Sequence, residues 1–145
     1  MGRCREDEEL MTHAYGVKAV RLACGDARGW NGQFYSRCDD LSAVMVMAAG
    51  RARSPAMAEA LRIVREAEIG VAGERRLRSR LEHIGTHDNK VANLLSRGLV
   101  SQAVALVEER FGVGSCRIVE LPEAYLRETE ERVCSAFLRD EEGTW

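Results

Sequence analysis

The residue types able to do chemistry gather in two stretches. The first is Cys38-Asp39-Asp40, where a strand candidate ends and an apolar helix begins. The second runs from His83 to Gly98, His-Ile-Gly-Thr-His-Asp-Asn-Lys-Val-Ala-Asn-Leu-Leu-Ser-Arg-Gly: a strand end that passes through Gly85 and a polar loop into a helix stopped at Gly98. Carboxylates are the oxygen ligands that a hard cation such as magnesium takes. An Asp ahead of a helix accepts from its first free amides, so Asp39-Asp40 carries an N-cap reading of its own. Glu9, or Glu8, reads equally as a first-turn acid that complements a helix dipole. His13, His83 and His87 have no carboxylate or Cys at ligand spacing. Cys4, Cys24, Cys38, Cys116 and Cys134 are odd in number, scattered and without a Cys-x-x-Cys pair, so they read as reduced thiols.

The elements that must hold these residues follow from periodicity. Leu10, Met11, Ala14, Val17, Val20, Leu22 and Cys24 recur at mostly three- and four-residue steps and predict a helix over 5–24. Gly25, Asp26, Gly29 and Asn31-Gly32 then predict a loop in which Trp30 folds back onto the core. Residues 33–38, with Phe34 and Tyr35, read as a short strand, and the run from Leu41 as a buried helix closing at Gly50. Ser54-Pro55 starts another helix through about Ile69, with Met57, Leu61, Val64 and Ile69 inside. After a turn at 70–73, Leu77, Ser79, Leu81 and His83 alternate with Arg76, Arg78, Arg80 and Glu82, the period of a strand with one buried face. A helix over 100–111, a Gly112-Val-Gly turn, a strand over 116–121, a helix from Pro122 to about Leu138 and a frayed tail complete the chain. Helix, strand, helix, helix, strand, helix is an α/β order.

At 145 residues the chain is one domain's worth, with 46% hydrophobic and 30% charged residues and a formal charge of -2. That balance gives no global attraction to nucleic acid or membrane, so such binding must be local. Arg75, Arg76, Arg78 and Arg80 supply a local stripe, and Arg51 and Arg53 another basic spot. No aromatic stacking series accompanies them in sequence. No apolar run reaches the length of a membrane span, and the first residues are charged rather than signal-like. Gly2 is followed by Glu at position 6, which breaks a myristoylation motif. The expected location is intracellular, nucleus or cytoplasm.

Gly85, Asp88, Asn89, Ala92, Leu95, Ser96 and Arg97 resemble the end of a ribonuclease H domain, in the retroelement version that follows a reverse transcriptase. There a strand leads through Pro-Gly-x-Asp-Asn into Ala-Asp-x-Leu-Ser-Arg. Glu9-Leu10-Met11 with Ala14 resembles that family's Glu-bearing first helix, Cys38-Asp39-Asp40 its Asp-Asn, and Gly50-Arg-Ala-Arg-Ser-Pro its Gly-x-Ser-Arg-Ser-Pro. The resemblance implies a partial ribonuclease H-like α/β fold over 1–98, a small mixed sheet flanked by helices, with 99–145 as a helical C-terminal extension.

It also implies a chemistry. Two Mg²⁺ or Mn²⁺ ions about 4 Å apart, held by clustered carboxylates, make a nucleophile and relieve charge on the leaving oxygen of a phosphodiester. Asp39 would bridge the metals, Glu9 would hold one, the position of Asn93 would anchor the other, and His83 would lie near the loop His that assists product departure. The chain departs from the pattern twice. The family's first hairpin and its catalytic Asp have no counterpart, and Asn93 stands where the last catalytic Asp belongs. The expectation is a degenerate domain whose partners are an RNA/DNA hybrid or other nucleic acid, met through Arg51, Arg53, Arg76, Arg78 and Arg80, and the rest of a reverse transcriptase polyprotein. Without the hairpin, the strand over 33–38 should expose an edge, as a truncated gene or a polyprotein fragment would.

Overall fold

Asp40 and Ser54 start the two central helices. The Asp40 carboxylate accepts from the Ala43 amide at 3.2 Å, and the Ser54 hydroxyl oxygen accepts from the Met57 amide at 3.1 Å, each satisfying a donor that the first helical turn leaves open. Gly50 ends the first of these helices at φ 73°, where its amide donates to the Val46 carbonyl. The computed structural model describes residues 5–24, 33–70 and 76–141. In chain order the elements are α1 Arg5–Cys24, β1 Gln33–Cys38, α2 Leu41–Ala49, α3 Pro55–Ile69, β2 Arg78–His83, a 3-10 turn Thr86–Asp88, α4 Lys90–Ser96, α5 Val100–Phe111 and α6 Glu123–Glu141. The expected loop over 25–32 with Trp30, most of the turn at 70–73, Arg75 and the last four residues lie outside the described residues.

The architecture is mixed α/β and mostly helical. β1 and β2 pair in parallel, from Gln33↔Arg78 to Cys38↔His83, and α2 and α3 form the long crossover that parallel strands require. Among the described residues the sheet is therefore two parallel strands, where a small mixed sheet was expected. The strand expected over 116–121 is also absent: the segment carries no strand pairing. Adjacent Ile118 and Val119 break its period-two alternation, and Ile118 is exposed, so no apolar face draws the segment onto a sheet.

One face of the ribbon is covered. Leu10, Met11 and Ala14 of α1, Ala43 and Met47 of α2, Ala56, Met57, Ala60, Leu61, Ile63 and Val64 of α3, and Cys38 and Leu81 of the strands form one buried cluster. Val17, Ala67 and Leu77 form a second, with Phe34 packed against it. Gly16 lets α1 lie close: a Cβ there would stand 2.8 Å from the tip of the Phe34 ring. On the far side, α6 packs along α3 and sends Val133 into the main cluster. Arg132 fastens that seam, donating to Glu59 at 2.7 Å and to both carboxylate oxygens of Glu66 at 2.6 and 3.0 Å. Nearby, Lys18 stands 5.2 Å from the centroid of the Tyr125 ring, and burial pushes the Tyr125 phenol up to about 12.

α4 and α5 stand apart from this packing. They contact each other, no residue of α4 is buried, and Ala103 is the only buried residue of α5. Leu95, Val100 and Phe111 are exposed on this pair.

Candidate functional site

The parallel register brings the sequence's candidates to one end of the ribbon. Cys38 closes β1 opposite His83, which closes β2, and Asp39 follows at once, half-buried. Asp40 takes the capping role, so the two acids divide: Asp40 belongs to α2, and Asp39 is not its cap. Glu9 approaches from α1. Burial pushes the Cys38 thiol up from its ordinary range, the backbone at Asp40 partly offsets this, and the charges of Glu9, Asp40 and Asp39 push the thiol further up. That thiol stays protonated at neutral pH and is a poor nucleophile.

Asn93 and the arginines lie outside this group, and His83, though paired with Cys38 in register, turns its side chain to solvent. Asn93 is exposed on α4, where its amide donates to the Asn89 carbonyl and its own carbonyl accepts from Ser96, local bonds of a short helix. His83 is exposed and borders an open cleft of about 560 Å³ between α2 and β2, together with Met47, Arg65, Arg80 and Glu82. Arg51 and Arg53 are exposed in the loop between α2 and α3. Arg76, Arg78 and Arg80 are exposed along β2 and its approach, on the face opposite Leu77 and Leu81.

Among the described residues no group of three or more His, Cys, Asp and Glu is placed to hold a metal ion. Glu9 and Asp39 offer two carboxylates, which leave much of the charge of two divalent cations unbalanced.

The structure also shows a constellation that the sequence reading passed over. His13, 2% exposed on α1, reaches both strands: its Nδ1 meets the Ser36 hydroxyl of β1, and its Nε2 lies 2.9 Å from the Ser79 hydroxyl of β2. Ser79 donates its one hydroxyl proton to Glu68 Oε2 at 2.6 Å, and its amide donates to the same oxygen at 3.0 Å. Nε2 must therefore carry the imidazole proton and donate to Ser79, and Nδ1 must accept from Ser36. Arg65 completes the chain by donating to Glu68 Oε1 at 2.8 Å. Burial pulls the His13 imidazole down to about 4, against the attraction of Glu68 and with the repulsion of Arg65, so it is neutral at pH 7.

Such a chain has the residue types of an acid-base relay, but its hydroxyls and imidazole are spent on one another across four packed elements. Its effect is to lock α1, α3 and the two strands in register. The signal in the sequence was thin: Ser36 and Ser79 share their strand faces with Cys38 and Leu81, which are apolar and buried. Only the register shows that one His can bridge them.

No family model, no curated protein and no solved structure matches this chain.

Proposed function

We propose that the chain is a degenerate ribonuclease H-like domain of retroelement origin, descended from a metal-dependent endonuclease acting on RNA/DNA hybrids and now a nucleic-acid-binding module. One observation carries this reading. The parallel pairing of β1 with β2, in a helix, strand, helix, helix, strand, helix order, sets Asp39 at the sheet end that Glu9 approaches. The loss of chemistry rests on the same place: with Asp40 spent as the cap of α2, Glu9 and Asp39 are the carboxylates left at that end among the described residues, and Asn93 is an amide on an exposed helix. The basic side chains at 76, 78 and 80 supply charge for a phosphate backbone, although the chain as a whole is slightly acidic.

The test is a binding titration of a blunt RNA/DNA hybrid at rising salt, with the full chain and its Asp39→Asn variant. The reading expects an affinity that falls steeply with salt and is the same for both proteins. Absence of salt-sensitive binding would overturn it.

A second reading rests on a different observation. α4 and α5 leave Leu95, Val100 and Phe111 exposed, the pattern of a helical pair that covers itself on a protein partner, such as a neighbouring part of a polyprotein. No helix among the described residues is long and apolar enough to cross a membrane.

A further inference from the structure

Side chains alternate across a strand, so the covered face of the ribbon fixes what the other face holds. With Phe34, Ser36 and Cys38 inward on β1 and Ser79 and Leu81 inward on β2, the outer face carries Gln33, Tyr35, Arg37, Arg78, Arg80 and Glu82. Among the described residues no helix covers it: Tyr35 is 56% exposed, and the side chains of Arg37 and Arg80 are 62% and 73% exposed. Register sets Tyr35 directly beside Arg80, with Gln33 beside Arg78 and Arg37 beside Glu82. The sequence separates Tyr35 from Arg80 by more than forty positions, and for that reason the arginines read alone as a stripe without an aromatic.

We infer that this outer face is a binding platform for an unpaired nucleic-acid strand, with Tyr35 stacking on a base and Arg37, Arg78 and Arg80 meeting the flanking phosphates. The inference rests on the nucleic-acid part of the proposed function and names the form of nucleic acid that this face takes.

Three features support it. First, an exposed aromatic ring on a flat sheet presents a π-face that any unstacked base can cover, whereas bases inside a duplex are already stacked on one another. Second, the ring is held in place: the Tyr35 hydroxyl donates to the side-chain Oε1 of Gln33 at 3.1 Å, so less side-chain freedom is lost on stacking. Third, among the described residues this face carries three arginines and one acid, Glu82, which lies 3.8 Å from Arg37 and 3.9 Å from Arg80. Those are long, solvated pairs that yield readily to a phosphate. The face therefore keeps a local positive charge on a chain whose net charge is -2. Adjacent strands lie about 4.8 Å apart, which brings a guanidinium plane at 80 within reach of the same base or its neighbour.

The experiment compares fluorescence anisotropy of a labelled oligo(dT) and of a blunt RNA/DNA hybrid with the full chain and three variants, Tyr35→Ala, Tyr35→Phe and Arg80→Ala. Tyr35 is exposed, so its replacement leaves the fold intact, and circular dichroism checks that. The expected result is a loss of oligo(dT) affinity of about tenfold in Tyr35→Ala, a much smaller loss in Tyr35→Phe, which keeps the ring and drops only its bond to Gln33, and in Arg80→Ala a weaker affinity with a salt slope reduced by about one. Hybrid affinity should change much less in Tyr35→Ala. Oligo(dT) binding that ignores Tyr35 while the hybrid still binds would overturn this inference and leave the proposed function standing. Failure of both nucleic acids to bind at low salt would overturn both. A Tyr35-dependent self-association with no nucleic-acid binding would overturn the platform and give the face to a protein partner.

Discussion

The two faces of the β1–β2 ribbon share one alternation and use their polar residues in opposite ways. On the inner face His13, Ser36, Ser79 and Glu68 are closed on one another and on Arg65, with the donors and acceptors of the chain matched in sequence. On the outer face Tyr35, Arg37, Arg78 and Arg80 stand in solvent. The difference separates a structural from a functional use of similar chemistry. A buried network is worth its desolvation only when every member is satisfied, and it then fixes register; an exposed set keeps its bonding capacity for something else.

The largest expected effect breaks the inner face. Glu68→Ala leaves the Ser79 amide and hydroxyl and the Arg65 guanidinium without their shared acceptor in a buried setting. It should cost about 3 kcal/mol of stability, read as a lowered midpoint in urea denaturation. Glu68→Gln, which keeps one acceptor oxygen, should cost less. Tyr35→Ala on the outer face should shift the same midpoint by no more than about 0.5 kcal/mol. A large loss from Tyr35→Ala, or none from Glu68→Ala, would erase the contrast between the faces.

The next effect sharpens the contrast through pH. Above about 6.5 the His13 imidazole is neutral in both the folded and unfolded chains, and its share of stability is fully present. As pH falls from 6.5 toward about 4, the unfolded chain takes up a proton that the folded chain refuses. This contribution to stability therefore falls with pH, by at most about 3 kcal/mol, and levels off below about 4. Urea denaturation at stepped pH should show the decline, and a His13→Gln protein should lack that part of it. A stability from this site that rises on acidification would contradict the neutral, Nε2-protonated imidazole.

Much of the fold was legible before any coordinates. Asp40, Gly50, Ser54 and Pro55 are local signals for helix ends, and the helices they bound begin and end where those residues predict. Local chemistry failed where partners decide. Cys116 to Leu121 has strand-like residues and no strand beside it, and β propensity without pairing does not make a sheet. The helix that ends before Gly98 is there as predicted, but nothing in its sequence says that it lies against α5. The candidate site was legible in part: Cys38, Asp39 and His83 do meet at one end of the ribbon, because each closes or follows a strand. The neighbourhoods of His13 and Tyr35 were not. Each depends on a parallel register between segments some forty residues apart, and a single sequence carries no trace of which residue faces which.

The most direct test of the account is a cleavage assay. A uniformly labelled RNA/DNA hybrid is incubated with the full chain in Mg²⁺ and, separately, in Mn²⁺, beside the Asp39→Asn variant. The account predicts binding without hydrolysis and no difference between the two proteins. Cleavage of the RNA strand that depends on the metal and disappears in Asp39→Asn would show that the carboxylates left at the sheet end still make a working centre, and would contradict the claim that this chain has lost its chemistry.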